Sequence, residues 1–123
     1  MTSKIMVIDD DSDMLEAMRF LLESEGFEVI TACGGAEGLE TLKSVRPDYI
    51  FLDIMMPVMN GWDVLREIKN DEGLMDIPVS MLTVKPLTKE MLSNDDIKGI
   101  VDYVTKPFTK EDVMETLNQI LAA

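Results

Sequence analysis

Residues 49–61 read YIFLDIMMPVMNG. The run from Tyr49 to Leu52 is apolar and short, the length of a strand buried on both faces rather than of a helix, and it ends at Asp53. Pro57 to Gly61 carry turn chemistry, after which Val64, Leu65 and Ile68 recur at three- and four-residue spacings. A buried strand, a loop and a helix with one apolar face make a βα unit. The rest of the chain decides whether that unit repeats.

It does, on both sides. Upstream, Ile5 to Ile8 reads as a strand, followed by a helix with Met14, Leu15, Met18, Leu21 and Leu22 on one face, Ser12 as its expected N-cap and Gly26 as its end. Glu28 to Ala32 makes a weaker strand, and the helix after Gly34 and Gly35 carries Leu39 and Leu42 and stops before Pro47, with Gly38 lowering its intrinsic stability. Downstream, Pro78 introduces a strand over Val79 to Leu82. A fourth helix is expected after Thr83, although Pro86 interrupts its approach and Ser93 to Asp96 read as a cap or turn. Ile100 to Val104 is the fifth strand, and Phe108, Val113, Leu117, Ile120 and Leu121 mark the last helix. Alternation of this kind predicts an α/β fold: a doubly wound, five-stranded parallel sheet covered by five helices, in one domain over residues 1–123.

Composition narrows the function. With 24 acidic residues, 11 basic ones and a net charge of -13, the chain is a poor ligand for a polyanion, so direct nucleic acid binding is not expected. The absence of His excludes histidine-dependent catalysis, and the single cysteine, Cys33, excludes an internal disulfide and a cysteine-rich zinc site. No uncharged run reaches membrane-spanning length, and the N-terminal apolar run meets an acidic cluster too soon for a signal peptide. A cytoplasmic protein without membrane contact is expected.

The chemistry stands at the C-terminal ends of the expected strands. The first runs into Asp9, Asp10 and Asp11, the third into Asp53, the fourth into Thr83, the fifth into Thr105 and Lys106. Ligands of open parallel sheets bind at that edge. Taken singly, each residue has an ordinary explanation: the acidic run caps a helix, Asp53 turns the chain, Lys106 is solvated. Taken together, Asp9, Asp10 and Asp53 repel unless a cation joins them. Mg²⁺, a hard ion that takes carboxylate and phosphoryl oxygens, suits them. Lys106 adds a point charge and Thr83 a hydroxyl donor, and Asp53, on the expected central strand, is the candidate carboxylate nucleophile for a phosphoryl group.

Four strings, VIDDD, DIMMPVMNG, MLT and DYVTKPF, fall in order at strand ends, and through them nearly the whole chain resembles the receiver domain of two-component response regulators. The resemblance implies the flavodoxin-like strand order 2-1-3-4-5 found in chemotaxis receivers. It implies Asp53 as phosphoacceptor, Mg²⁺ held by Asp9, Asp10, Asp53 and the backbone carbonyl of Met55, and Thr83 and Lys106 as phosphoryl-binding residues. Thr83 and Tyr103 would form a switch, and the bond between Lys106 and Pro107 would be cis. The implied function is phosphorelay signal transduction: a phosphoprotein carrying an aspartyl phosphate, taken from the phosphohistidine of a sensor histidine kinase or phosphotransfer protein. An output protein, whose identity the sequence does not give, would then be engaged near the fourth helix, fifth strand and fifth helix. Such a receiver assists its own phosphorylation and dephosphorylation without being a multiple-turnover enzyme.

Two other classes compete. A phosphatase of the haloacid dehalogenase type also uses Asp, Mg²⁺, Thr and Lys, but it places its nucleophile after the first strand in a D-x-D pattern, and here Asp9 and Asp11 are followed by another acid at Asp13. A receiver-like binding module without chemistry would not need the full acidic, Thr and Lys set. Tyr103 reads equally as a half-buried edge residue, and Trp62 and the methionines as core fillers. Val84, where these domains usually carry a small residue, departs from the pattern.

Overall fold

In the computed structural model, which describes residues 3–84, 100 and 102–121 (residue 120 by its backbone only), the apolar runs become five strands. They are β1 (Lys4–Asp9), β2 (Glu28–Cys33), β3 (Tyr49–Asp53), β4 (Val79–Thr83) and β5 (Asp102–Thr105). The described helices are α1 (Ser12–Ser24), α2 (Gly35–Leu42), α3 (Gly61–Lys69) and α4 (Lys110–Leu121). All strand pairs are parallel, in the order β2-β1-β3-β4-β5, so β3 is central. The fourth helix expected from sequence, with Pro86, lies outside the described residues.

Side chains alternate across each strand and build two cores. On one face Ile8, Leu52 and Met81 pack with Leu42 of α2 and Val64, Leu65 and Ile68 of α3. On the other, Val7, Phe51 and Leu82 pack with Leu15, Met18 and Leu22 of α1 and Val113 and Leu117 of α4. Burying each such side chain is worth about 1.5–3 kcal/mol, which is why the inward positions read from periodicity are the ones found inside. Tyr49 carries a polar group into this core: fully buried, it shares a hydrogen bond with the equally buried Ser80 hydroxyl, and burial pushes its phenol up to about 12.

Several boundaries differ from the sequence reading. Asp11, not Ser12, caps α1, because its carboxylate accepts the Asp13 N–H at 2.9 Å. β5 runs from Asp102, opposite Ser80, to Thr105, opposite Thr83, later than expected, since pairing with β4 sets its ends. Gly38 is less a weak point than a close approach: a Cβ there would lie 2.7 Å from Ile8 Cδ1. Four methionines, Met6, Met18, Met56 and Met81, do fill the core, but Met55 and Met75 are exposed.

Candidate functional site

The loop after β3 is held by two devices. Asn60 caps α3 by accepting the Asp63 N–H at 3.0 Å, while the Asp63 carboxylate accepts the Asn60 N–H at 3.2 Å, a reciprocal capping box. Gly61, the first residue of α3, donates its N–H to the Ile54 carbonyl at 2.9 Å and lies so close to the strand end that a Cβ would stand 2.3 Å from the Asp53 carbonyl oxygen. Between these anchors Val58 has φ 68, a left-handed conformation unusual for a β-branched residue, and its side chain is fully exposed.

At the head of the sheet, carboxylate oxygens of Asp9, Asp10 and Asp53 lie within 4.8 Å of one another. Asp9 is fully buried, Asp53 nearly so, and Asp10 is exposed. Lys106, arriving from the end of β5, places Nζ 2.8 Å from Asp9 Oδ2 and 3.2 Å from Asp53 Oδ1. One ammonium thus faces three carboxylates. At such a separation and an effective dielectric near 20, two unit charges repel by about 3 kcal/mol. Burial, and then the Asp9 charge, push the Asp53 carboxyl up to about 6, against the opposing pull of Lys106. For Lys106 burial acts downward, but its two carboxylate partners outweigh it and the net shift is upward. An all-oxygen set with surplus negative charge, open to solvent at Asp10, fits a hard divalent cation.

Thr83 ends β4 beside Asp53: it is buried, and its backbone carbonyl accepts the Lys106 N–H at 2.6 Å. The Ile54 N–H donates to Leu82 at 3.1 Å, so the loops bearing Asp53, Thr83 and Lys106 are joined through main chain. The Lys106–Pro107 bond is cis. Met55 lies two residues beyond Asp53 with its side chain exposed, and Tyr103 is half-buried against the core under α2 and α3. Val84, directly after Thr83, is 59% exposed, so it is no core residue. Cys33, opposite Asp9 in the β1–β2 register, points its thiol at the Asp10 carbonyl, 3.6 Å away.

Asp9, Asp10, Asp53 and Lys106 are therefore brought together as the strand-end argument expected. The supporting pair of Gly61 and Asn60 was not singled out; the N-G dipeptide with Asp63 following was its signal, read only as a turn.

The family model for the response regulator receiver domain matches residues 5–118. Among curated proteins, the DNA-binding response regulator MtrA of Mycolicibacterium paratuberculosis is 35% identical over 114 residues, 93% of this chain and 49% of MtrA. The alkaline phosphatase synthesis transcriptional regulatory protein PhoP of Bacillus subtilis is 33% identical over 121 residues, 98% of this chain and 49% of PhoP. The chain spans about half the length of these relatives. Among solved structures, the Vibrio cholerae chemotaxis protein CheY4 superposes with a TM-score of 0.91 at 28% identity, covering 98% of this chain and 100% of that one. The N-terminal domain of a response regulator receiver protein from Methanoculleus marisnigri gives 0.81 at 41% identity, covering 98% of each chain.

Proposed function

The chain belongs to the response regulator receiver domain family, and on that premise we propose that Asp53 accepts a phosphoryl group from a phosphohistidine of a sensor histidine kinase or phosphotransfer protein. The observation that carries this reading is the Lys106 ammonium bridging Asp9 and Asp53 at the end of the central strand. An Asp53 carboxylate oxygen attacks phosphorus in line, the P–N bond to the donor imidazole breaks, and an acyl phosphate forms. Lys106 exchanges a carboxylate contact for a phosphoryl oxygen, and the Thr83 hydroxyl donates to another. Asp9, Asp10, Asp53 and the Met55 carbonyl would hold Mg²⁺, which neutralises charge on the transferring group. Water later cleaves the acyl phosphate, restoring the carboxylate and releasing inorganic phosphate.

The signal leaves through Thr83 and Tyr103: movement of the β4 loop toward the phosphoryl group lets the half-buried Tyr103 turn, changing a surface beside β5 for an output protein. The domain signals without turning over a substrate in bulk. DNA binding is a property named for MtrA, which is about twice as long as the aligned region; a net charge of -13 argues that this domain makes no direct contact with nucleic acid. Among the described residues no helix is long and apolar enough to cross a membrane, and we place the domain in the cytoplasm with its kinase.

Intact-mass measurement with acetyl phosphate and Mg²⁺ tests the reading. One added phosphoryl group per chain is expected, none in Asp53→Asn, and full addition in Thr83→Ala with a weakened response at Tyr103. Full labelling of Asp53→Asn would overturn the assignment, as would continuous turnover of small phosphate esters.

A further inference from the structure

Helices α2 and α3 lie on the same face of the sheet and leave between them a groove of about 390 Å³. Its floor is apolar: Leu39 of α2, Met59 before α3 and Leu74 after it are each partly buried against the core and open on the groove. Its rims are charged. On α2, Glu40 and Lys43 form an exposed ion pair at 3.0 Å. On the other side stand Glu67 of α3 and Asp71 just beyond it, both exposed. The Asp71 carboxylate accepts the Gly73 N–H at 2.8 Å, and neither carboxylate has a cationic partner among the described residues. Three carboxylates thus face one ammonium that is already engaged.

Shape and charge together define the occupant. The groove follows two helices, the shorter of which gives it a length of about 12 Å, so an elongated ligand fills it better than a compact one. An apolar floor between negative rims complements a helix whose apolar stripe is flanked by Lys and Arg. We propose that the α2–α3 groove docks a basic amphipathic helix of another protein. A second copy of this chain is a poor occupant, because each copy carries a charge of -13 and α1 and α2 have acidic first turns. The groove shares no side chain with the carboxylate site, so the inference stands whether or not Asp53 accepts a phosphoryl group.

Titration of the ¹⁵N-labelled protein with a synthetic helical peptide, Leu along one stripe and Lys on the remaining faces, tests it. Amide shifts are expected to cluster at Ala36, Leu39, Met59 and Leu74. Glu67→Lys combined with Asp71→Lys should weaken binding about tenfold or more. Glu111→Lys combined with Glu115→Lys, an equal charge change on α4 across the sheet, should leave the affinity nearly unchanged. The proposal falls if the shifts map elsewhere, if both double variants weaken binding alike, if a Leu-stripe peptide with Glu in place of Lys binds equally well, or if no binding is seen at millimolar peptide. It also falls if the protein alone dimerises and the groove variant disperses it.

Discussion

Replacing Gly61 by Ala should injure the fold and the chemistry together. The added Cβ would stand 2.3 Å from the Asp53 carbonyl oxygen and 2.8 Å from Ile54 Cα, both backbone atoms of the strand end that cannot swing aside. Ordinary contact is about an ångström longer, so either the first turn of α3 or the end of β3 must move by that much. Overpacking of this kind costs about 1–3 kcal/mol. Against it stands the better helix propensity of Ala, worth up to about 1 kcal/mol and less at a first helical position. Taking the upper steric figure, a net loss of about 2 kcal/mol remains. An entropy of unfolding of about 2.1 cal/mol/K per residue then puts the melting temperature about 8 °C lower. Displacing the acceptor by about 1 Å should also slow phosphoryl transfer about 100-fold. Gly73→Ala is the control, since its Cβ would meet only the Asp71 side chain at 3.3 Å. Thermal melting by circular dichroism and the rate of acetyl phosphate labelling by intact mass read both effects. If Gly61→Ala melts within about 2 °C of the wild type and labels at the same rate, about the tolerance of an innocuous surface change, the close approach does not govern the site.

Val84 follows Thr83 directly, where its exposed branched side chain can cover the in-line approach to Asp53, so Val84→Ala should speed both labelling and dephosphorylation about tenfold, a barrier change of about 1.4 kcal/mol, with little change in melting because the side chain is 59% exposed; an earlier melt at unchanged rates would contradict this gating role. Mg²⁺ at ten times its dissociation constant should stabilise the chain by about 1.4 kcal/mol, raising its melting temperature by about 5 °C, and Asp10→Asn should blunt the rise; indifference of the wild type to millimolar Mg²⁺ would count against the metal site. In metal-free protein, Asp53 binds its proton more tightly folded than unfolded, so its contribution to stability is complete below pH 3.8 and lost as pH rises through about 6. The difference in melting temperature between wild type and Asp53→Asn should therefore shift in favour of the variant across that window, and Mg²⁺ should suppress the shift; a pH-independent difference would mean that Asp53 is not strained in the empty site.

What the sequence shows most clearly is what depends on periodicity and on strand ends. Runs such as Tyr49 to Leu52 have one stable placement, buried on both faces, and once the sheet is parallel the residue after each run must stand at one edge. Asp9, Asp53 and Lys106 could be brought together on paper for that reason. Their electrostatics could not, because the share of Lys106 between two carboxylates depends on distances of a few tenths of an ångström. The order of the strands came from resemblance, since hydrophobic pattern is the same for every permutation of buried strands. Ser12 lost the capping position to Asp11 because either side chain can reach an orphan N–H and neighbouring contacts decide: here the Asp11 N–H is itself tied to Asp9 Oδ1 at 3.0 Å. Val58 was invisible to this reasoning, since its conformation normally belongs to Gly or Asn. The α2–α3 groove was equally hidden, being formed by what two helices fail to cover.

The ion pair between Asp9 and Lys106 joins positions 97 residues apart. On a translating ribosome Asp9 and Asp53 emerge long before Lys106, and until it arrives the two carboxylates lack the ammonium that lies between them. Distant pairings form late in folding as well as late in synthesis. A nascent or truncated chain that ends before Lys106 therefore carries Asp9 and Asp53 as an uncompensated pair of carboxylates, and a phosphodonor should write upon it more slowly than upon the finished chain.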